Sequence, residues 1–326
     1  MNESLLIDNV TLSAELEKMF FKYNPSLEGF EIVERQTGFS STFEADIITC
    51  LFKNAPNVMI RCKYLKGHEN NQEGGHRGGV EYEARIYEER LAGIHLPLVS
   101  YYGSFIIPNT DIFCMVIQYM DDCIRIDKSH ESDTLAQAAA WIGKFHSLYE
   151  NFVPKSEKKY DEDYYRFWVQ NTINRGSYIK NDYPWIYEPC EYFKKNIEEL
   201  LTFPVTLIHG EYYPHNILLK EDEIYPIDWE SAAIAFGEID LAGLIENWGE
   251  EYAEKAIKTY VSVRWPNITA EEEKKFEHRL KLAKLYLHMR WIGTHSDFAA
   301  WEGKPTRFKK FYKRLELLKK FSKELV

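Results

Sequence analysis

The stretch HGEYYPHNILL, residues 209–219, sets two histidines, a carboxylate, a proline and an amide ahead of an apolar run. Pro214 argues against one continuous helix through it, so Glu211 and Asn216 can face a common cavity. Twelve residues past Asn216 comes IDWE, with Asp228 and Glu230 two apart. In an extended segment those two carboxylates share a face. An amide oxygen with a carboxylate is a hard-oxygen set suited to Mg2+, which keeps several waters and takes substrate phosphates as further ligands. A separate acid a few residues earlier, Glu211, can orient or deprotonate a hydroxyl. Metal ligands, a positioner for the nucleophile and a phosphate clamp are the parts of phosphoryl transfer.

Other chemistries fit these residues less well. Zinc on His209, Glu211 and His215 lacks the helical spacing that puts two imidazoles on one face. A glycosidase needs a further acid where Pro226 stands, two places before Asp228.

The elements that must carry these groups can be read from period and punctuation. Residues 11–22 have helical spacing behind a Thr/Ser cap signal. Two strands joined by a Gly-Ser turn follow in GFEIVERQTGFSSTFEADIITCLF, and a third in NVMIRCKYL. Residues 66–79 are polar and glycine-rich, hence a loop. VEYEARIYEERLAG is a helix ended by Gly93. LPLVSYYGSFII and DIFCMVIQYM make two more strands around a Pro-Asn turn. Beyond Asp121-Asp122 the pattern turns helical, with a start at Ser132/Asp133 and long periodic stretches over 240–263 and 270–322, interrupted by short strands around IDWE. The expectation is a β-rich lobe over 1–120 with a hinge near 116–122, and a mainly helical lobe over 121–326.

Composition bounds the partners. The 326 residues carry a formal net charge of −11, which disfavours wholesale binding of nucleic acid. No stretch reaches the ~18 apolar residues of a membrane span. The amino terminus has no secretory signature, and five scattered cysteines without a C-x-x-C pair fit a reducing, cytoplasmic setting. The expected protein acts without nucleic acid or membrane, as a monomer or homodimer.

HGEYYPHNILL, IDWE and GEIDLAGLI together resemble the aminoglycoside phosphotransferase and choline kinase-like family, whose catalytic loop reads H-G-D-x-x-x-x-N and whose metal-binding segment reads I-D-[FW]-[DE]. The resemblance implies an α+β, protein-kinase-like two-lobe fold: a small antiparallel β N-lobe with one helix and a larger, mainly helical C-lobe. It implies transfer of the γ-phosphoryl group of ATP or GTP, with Mg2+, to the hydroxyl of a small molecule. Asn216 and Asp228 would hold the metal, Glu211 would be the base, His209 would brace the loop and Asp240 would support it. Glu211 stands where the family has Asp, and the extra methylene moves the carboxylate by roughly 1–1.5 Å.

The resemblance further implies a nucleotide clamp from Gly38, Ser40, Ser41 and Thr42, and a phosphate-pairing lysine in VMIRCKYL. Lys63 is favoured there and Arg61 competes, since two residues apart they share a strand face. Glu83, with Glu81 as second choice, would pair with that lysine. Backbone groups from Gln118 to Met120 would meet an adenine. The acceptor region would draw on Glu230, Trp168, Trp291 and His295, with Tyr165, Trp185 and Trp301 as further aromatic lining that suits a cationic acceptor. The absence of D-F-G and A-P-E patterns disfavours a protein substrate. The competing class is a non-catalytic, pseudokinase-type nucleotide-binding module.

Overall fold

The computed structural model describes residues 7–38, 43–66, 75–129, 133–150, 152–179, 181, 183–294 and 305–325. The chain divides into two compact units. The first comprises residues 1–72, 76–125 and 217–231, and the second residues 73–75, 126–216 and 232–326. The segment 217–231, which carries IDWE, therefore folds with the strand-rich unit.

In the first unit α1 (Asn9–Tyr23) leads into β1 (Glu31–Gly38), β2 (Ala45–Leu51) and β3 (Val58–Lys66). Then come α2 (Gly79–Ile86), extended by one π turn over Tyr87–Leu91, and β4 (Tyr101–Ile106), β5 (Ile112–Gln118) and β6 (Ile124–Arg125). The five longer strands form one antiparallel sheet in the order β1-β2-β3-β5-β4. Lys63 on β3 lies opposite Ala45 on one side and Met115 on the other. One face buries Ile48, Cys50, Ile60, Cys62 and Val116 against Leu12, Leu16 and Phe20 of α1. Each such side chain contributes ~1.5–3 kcal/mol on burial. The cap of α1 is Asp8, whose carboxylate accepts from Val10 N and Thr11 N at 2.9 Å, and not the Thr/Ser pair further on. Gly93 has φ +80 and follows the π turn as its terminator.

The second unit begins with α3 (Thr134–Leu148), β7 (Lys158–Lys159), α4 (Glu162–Ile179), α5 (Tyr187–Lys195), α6 (Ile197–Leu200) and β8 (Thr206–Ile208). The hairpin β9 (Ile217–Lys220) and β10 (Glu223–Pro226), which belongs to the first unit, interrupts it. It resumes with β11 (Ala233–Ala235), α7 (Glu238–Leu244), α8 (Glu250–Arg264), α9 (Ala270–Thr294) and α10 (Pro305–Leu325). The periodic stretch 240–263 is thus two helices, α7 and α8, and 270–322 is α9 and α10. Gly143 lets α3 come close to α8, since a Cβ there would meet Tyr260 O at 3.2 Å. Among the described residues no helix is long and apolar enough to cross a membrane.

Candidate active site

In the first unit three charged side chains from distant parts of the chain converge. Lys63 Nζ donates to Glu83 Oε2 at 2.6 Å and to Asp228 Oδ1 at 2.7 Å. The second oxygen of Glu83 accepts the backbone N–H of Trp229 at 3.2 Å, so α2 holds both the lysine and the IDWE backbone. The structure thus brings Lys63, not Arg61, to the acids; of the two glutamates Glu83 is buried, while Glu81 is exposed. Burial pulls the Lys63 ammonium down, but Asp228 and Glu83 outweigh it and hold it above its usual range. Burial raises Glu83 in turn, against the pull of Lys63.

Asp228 has φ +73, a left-handed conformation that Asp tolerates better than most residues. Its side chain stays 38% exposed, which suits a ligand group for a cation. Glu230 is different. It is 2% exposed, and Arg77 Nη1 lies 3.4 Å from its Oε1. Burial first, then Asp228, pushes its carboxyl up to about 8, partly offset by Arg77. The expected substrate contact at Glu230 is corrected to a buried acid inside the first unit.

The second unit builds the 209–216 loop on one carboxylate. Asp240 Oδ2 accepts His209 N at 2.6 Å, and Oδ1 accepts Gly210 N at 2.9 Å. His146 Nε2 lies 3.2 Å from Asp240 Oδ2, and His146 Nδ1 lies 2.9 Å from the Tyr260 hydroxyl. Burial is the main reason His146 falls below its usual range; its bond to Asp240 opposes this. Gly210 has φ +81, open to glycine at little cost. The buried His209 ring accepts Glu211 N through Nδ1 at 3.3 Å, which rules out a catalytic zinc ligand at that nitrogen. Glu211 O then accepts Asn216 Nδ2 at 3.1 Å, which engages the amide nitrogen inside the loop.

A divalent ion on these groups would rest on few protein oxygens. Among the described residues no three or more His, Cys, Asp or Glu side chains gather as a metal cluster. Within the first unit's charged triad, Asp228 alone offers an exposed carboxylate of the hard-oxygen kind that Mg2+ takes together with water and phosphate.

Glu211 has a neighbour that sequence reading did not single out. Arg290 Nη1 of α9 lies 3.8 Å from Glu211 Oε1, and Arg290 Nη2 donates to the Tyr213 hydroxyl. Its signal was present: positions 282, 286, 290 and 293 share one helical face, and 290 alone on it is charged. His146 was likewise missed, hidden in the apolar face of α3. Trp291 donates to Tyr213 Oη at 3.1 Å and is partly exposed. Trp168 is 1% exposed, with the Arg290 guanidinium 6.0 Å from its ring centre. It is corrected from substrate contact to a core ring that backs Arg290, and Tyr165 is equally buried.

The remaining expectations are mixed. The N–H groups of Gln118 and Tyr119 already donate to Ser100 O and Met59 O, at 2.8 and 2.9 Å. Gly38 ends β1, while Ser40, Ser41, Thr42, His295 and Trp301 lie outside the described residues. A cavity of about 970 Å3 beside Phe203, Trp265 and Arg279 is lined by none of the expected site residues.

The model of the phosphotransferase enzyme family matches residues 111–265, which include both the 209–216 loop and IDWE. The sequence matches no curated protein. Among solved structures, a choline kinase from Cryptosporidium parvum Iowa II is similar, with TM-score 0.62 and 14% identity, over 95% of this chain and 96% of that one. A spectinomycin phosphotransferase in complex with ADP and spectinomycin aligns with TM-score 0.61 and 15% identity, over 99% and 100% of the two chains. An aminoglycoside 2'-phosphotransferase bound to GDP gives TM-score 0.59 and 12% identity, over 96% and 98%. The fold is α+β and protein-kinase-like, with an antiparallel-sheet part and a mainly helical part, as the resemblance implied.

Proposed function

We propose that the chain, whose residues 111–265 match the model of the phosphotransferase enzyme family, is a phosphotransferase that moves the γ-phosphoryl group of ATP or GTP onto a hydroxyl of a small molecule. In this reading Lys63 pairs with the nucleotide phosphates, Glu83 aligns Lys63, and Met120 and its neighbours receive the base. Asp228 and Asn216 each offer an oxygen to Mg2+, which when bound neutralises developing phosphate charge. Glu211 orients the acceptor hydroxyl and takes its proton, and His209 and Asp240 keep the loop in shape. In this reading the nucleotide lobe is built from 1–120 together with the segment 217–231 that folds with it, and the acceptor lobe from the rest of 121–326.

The observation that supports this most is the contact of Lys63 with both Glu83 and Asp228. A buried lysine between two acids, one of them half open, is costly to maintain without a ligand role. ADP and GDP in the solved complexes support nucleotide use. The test is release of ADP from ATP, or of GDP from GTP, with Mg2+ across a panel of hydroxylated metabolites and antibiotics. At least one acceptor should raise release well above the rate in water, and a flat panel would count against the reading.

A second reading, nucleotide binding without transfer, is favoured by one observation. The Glu211 side chain is only 8% exposed and lies beside Arg290. Nucleotide-dependent stabilisation with no acceptor turnover over the whole panel is its signature.

A further inference from the structure

We propose that Arg290 is the positioning residue of the acid at 211: it holds the Glu211 carboxylate in one place, and so lets a glutamate serve where the resemblance expects the shorter aspartate. The hold itself is a property of the second unit; the work it does in transfer rests on the phosphotransfer reading.

A glutamate has one more rotatable bond than an aspartate and reaches further by roughly 1.5 Å, one C–C bond. Without a hold its carboxylate spreads over several rotamers. In a site where a misplacement of ~1 Å can cost on the order of 10²-fold in rate, that spread matters. Most contacts of the 209–216 loop fix its backbone. Asp240 takes the N–H groups of His209 and Gly210, His209 Nδ1 takes that of Glu211, and Asn216 Nδ2 donates to Glu211 O. The ion pair with Arg290 acts on the carboxylate itself, with Nη1 3.8 Å from Oε1. A carboxylate has lone pairs for about four partners, so a guanidinium beside one oxygen does not shut out an acceptor hydroxyl.

Arg290 can serve as a fixed point because its own surroundings hold it. It is 2% exposed, on a stretch of α9 pinned to α4 at two places. The Tyr164 and Tyr286 hydroxyls lie 2.6 Å apart, and Thr172 Oγ1 lies 2.7 Å from Met289 O. Gly293 permits that approach, since a Cβ there would meet Thr172 Oγ1 at 3.1 Å. The Trp168 ring centre is 6.0 Å from the guanidinium. Arg290 Nη2 donates to the Tyr213 hydroxyl, so one planar fork reaches two residues of the loop and sets direction as well as charge. The dependence is mutual, because neutralising Glu211 leaves a buried guanidinium short of a counter-charge. Glu211→Asp withdraws the carboxylate by about 1.5 Å from a pair already at 3.8 Å, and so releases it from the hold.

Two measurements on the full chain test this, with folding of every variant verified by circular dichroism. The first is a double-mutant cycle in urea over Arg290→Gln and Glu211→Gln, whose effects should be coupled by at least about 5-fold in the folding constant. The second is ADP release from ATP and Mg2+, with water and glycerol as the hydroxyl acceptors. Arg290→Gln should lower kcat by ~10–100-fold and leave KM for ATP within about 3-fold of the wild type. Arg290→Lys, which keeps the cation, should restore part of that loss. In a Glu211→Asp background, Arg290→Gln should cost less than about 3-fold, since the hold is already broken. Should Arg290→Gln not fold, Arg290→Lys is read in both backgrounds and should lower kcat only where residue 211 is Glu. Additive effects in urea overturn the inference. So does a wild-type kcat in the folded Arg290 variant, a loss confined to KM for ATP, or an equal loss in both backgrounds. Coupling in urea with no ADP release from the wild type supports the hold and counts against transfer. ADP release with additive effects in urea does the reverse.

Discussion

The two functional regions are built on opposite principles. In the first unit, formal charges from β3, α2 and the IDWE segment meet: Lys63, Glu83 and Asp228, the first and the last 165 positions apart. In the second, a short loop is shaped by backbone N–H groups of His209 and Gly210 gathered on Asp240. Removing Lys63 or Glu83 strands a buried charge, whereas Asp228 is 38% exposed and its loss leaves the Lys63–Glu83 pair balanced. The loop distributes its support over several neutral hydrogen bonds, each worth ~0.5–1.5 kcal/mol, or up to about 3 where a carboxylate accepts. One region is held by coupled side-chain charges and the other by backbone N–H groups on a single carboxylate.

That contrast breaks down if substitutions in the two regions behave alike. Lys63→Met leaves Glu83 buried without its counter-charge and should cost ~3–5 kcal/mol in urea unfolding, with nucleotide binding lost as well. Asp240→Asn keeps the shape but removes the charge that holds two N–H donors, and should cost about 2 kcal/mol. A larger loss for Asp240→Asn than for Lys63→Met would invert the comparison. Gly210→Ala, at φ +81, should cost ~1–2 kcal/mol and slow turnover more than it weakens nucleotide binding.

The loop support also carries a pH signature. Burial, with Arg264 beside it, keeps the folded His146 below its ordinary value of 6.5, against the bond to Asp240. The unfolded chain therefore binds the proton more readily. The stability from neutral His146 is complete above 6.5 and falls as pH drops below it, by about 1.4 kcal/mol per pH unit at most. Urea midpoints measured down from neutral pH should show this slope, and His146→Gln should flatten it. The smallest effect lies outside both regions: Asp8→Ala, the cap of α1, should cost ~1 kcal/mol in the same assay and leave nucleotide binding unchanged.

Legibility in sequence follows the same division. The loop could be read because its chemistry sits within eight residues, where spacing alone fixes which groups are neighbours. Asp240 lies 30 and 31 positions from the Gly210 and His209 N–H groups it holds, too far for spacing to show, and only the family resemblance implied its support. The charged triad was legible in type but not in choice. Arg61 and Lys63 alternate onto one strand face, and only the position of Glu83 on α2 and the backbone turn at Asp228 decide between them. The positive φ of Asp228 leaves no mark beyond a residue type that tolerates it. Arg290 and His146 escaped because each lies on an otherwise apolar helix face, where period calls for packing and the partner comes from far along the chain. Strands of two or three residues, such as β6, β7 and β8, are too short for alternation to show.

One comparison tests the central claim most directly: phosphorylated product and ADP formed by the wild type and by Glu211→Gln, with ADP binding followed by thermal shift in both. Phosphoryl transfer with Glu211 as base predicts product from the wild type, a loss of about 10²–10⁴-fold in the variant, and the same shift with ADP in each. A variant that turns over as fast as the wild type, or a wild type that binds ADP yet phosphorylates nothing, contradicts it.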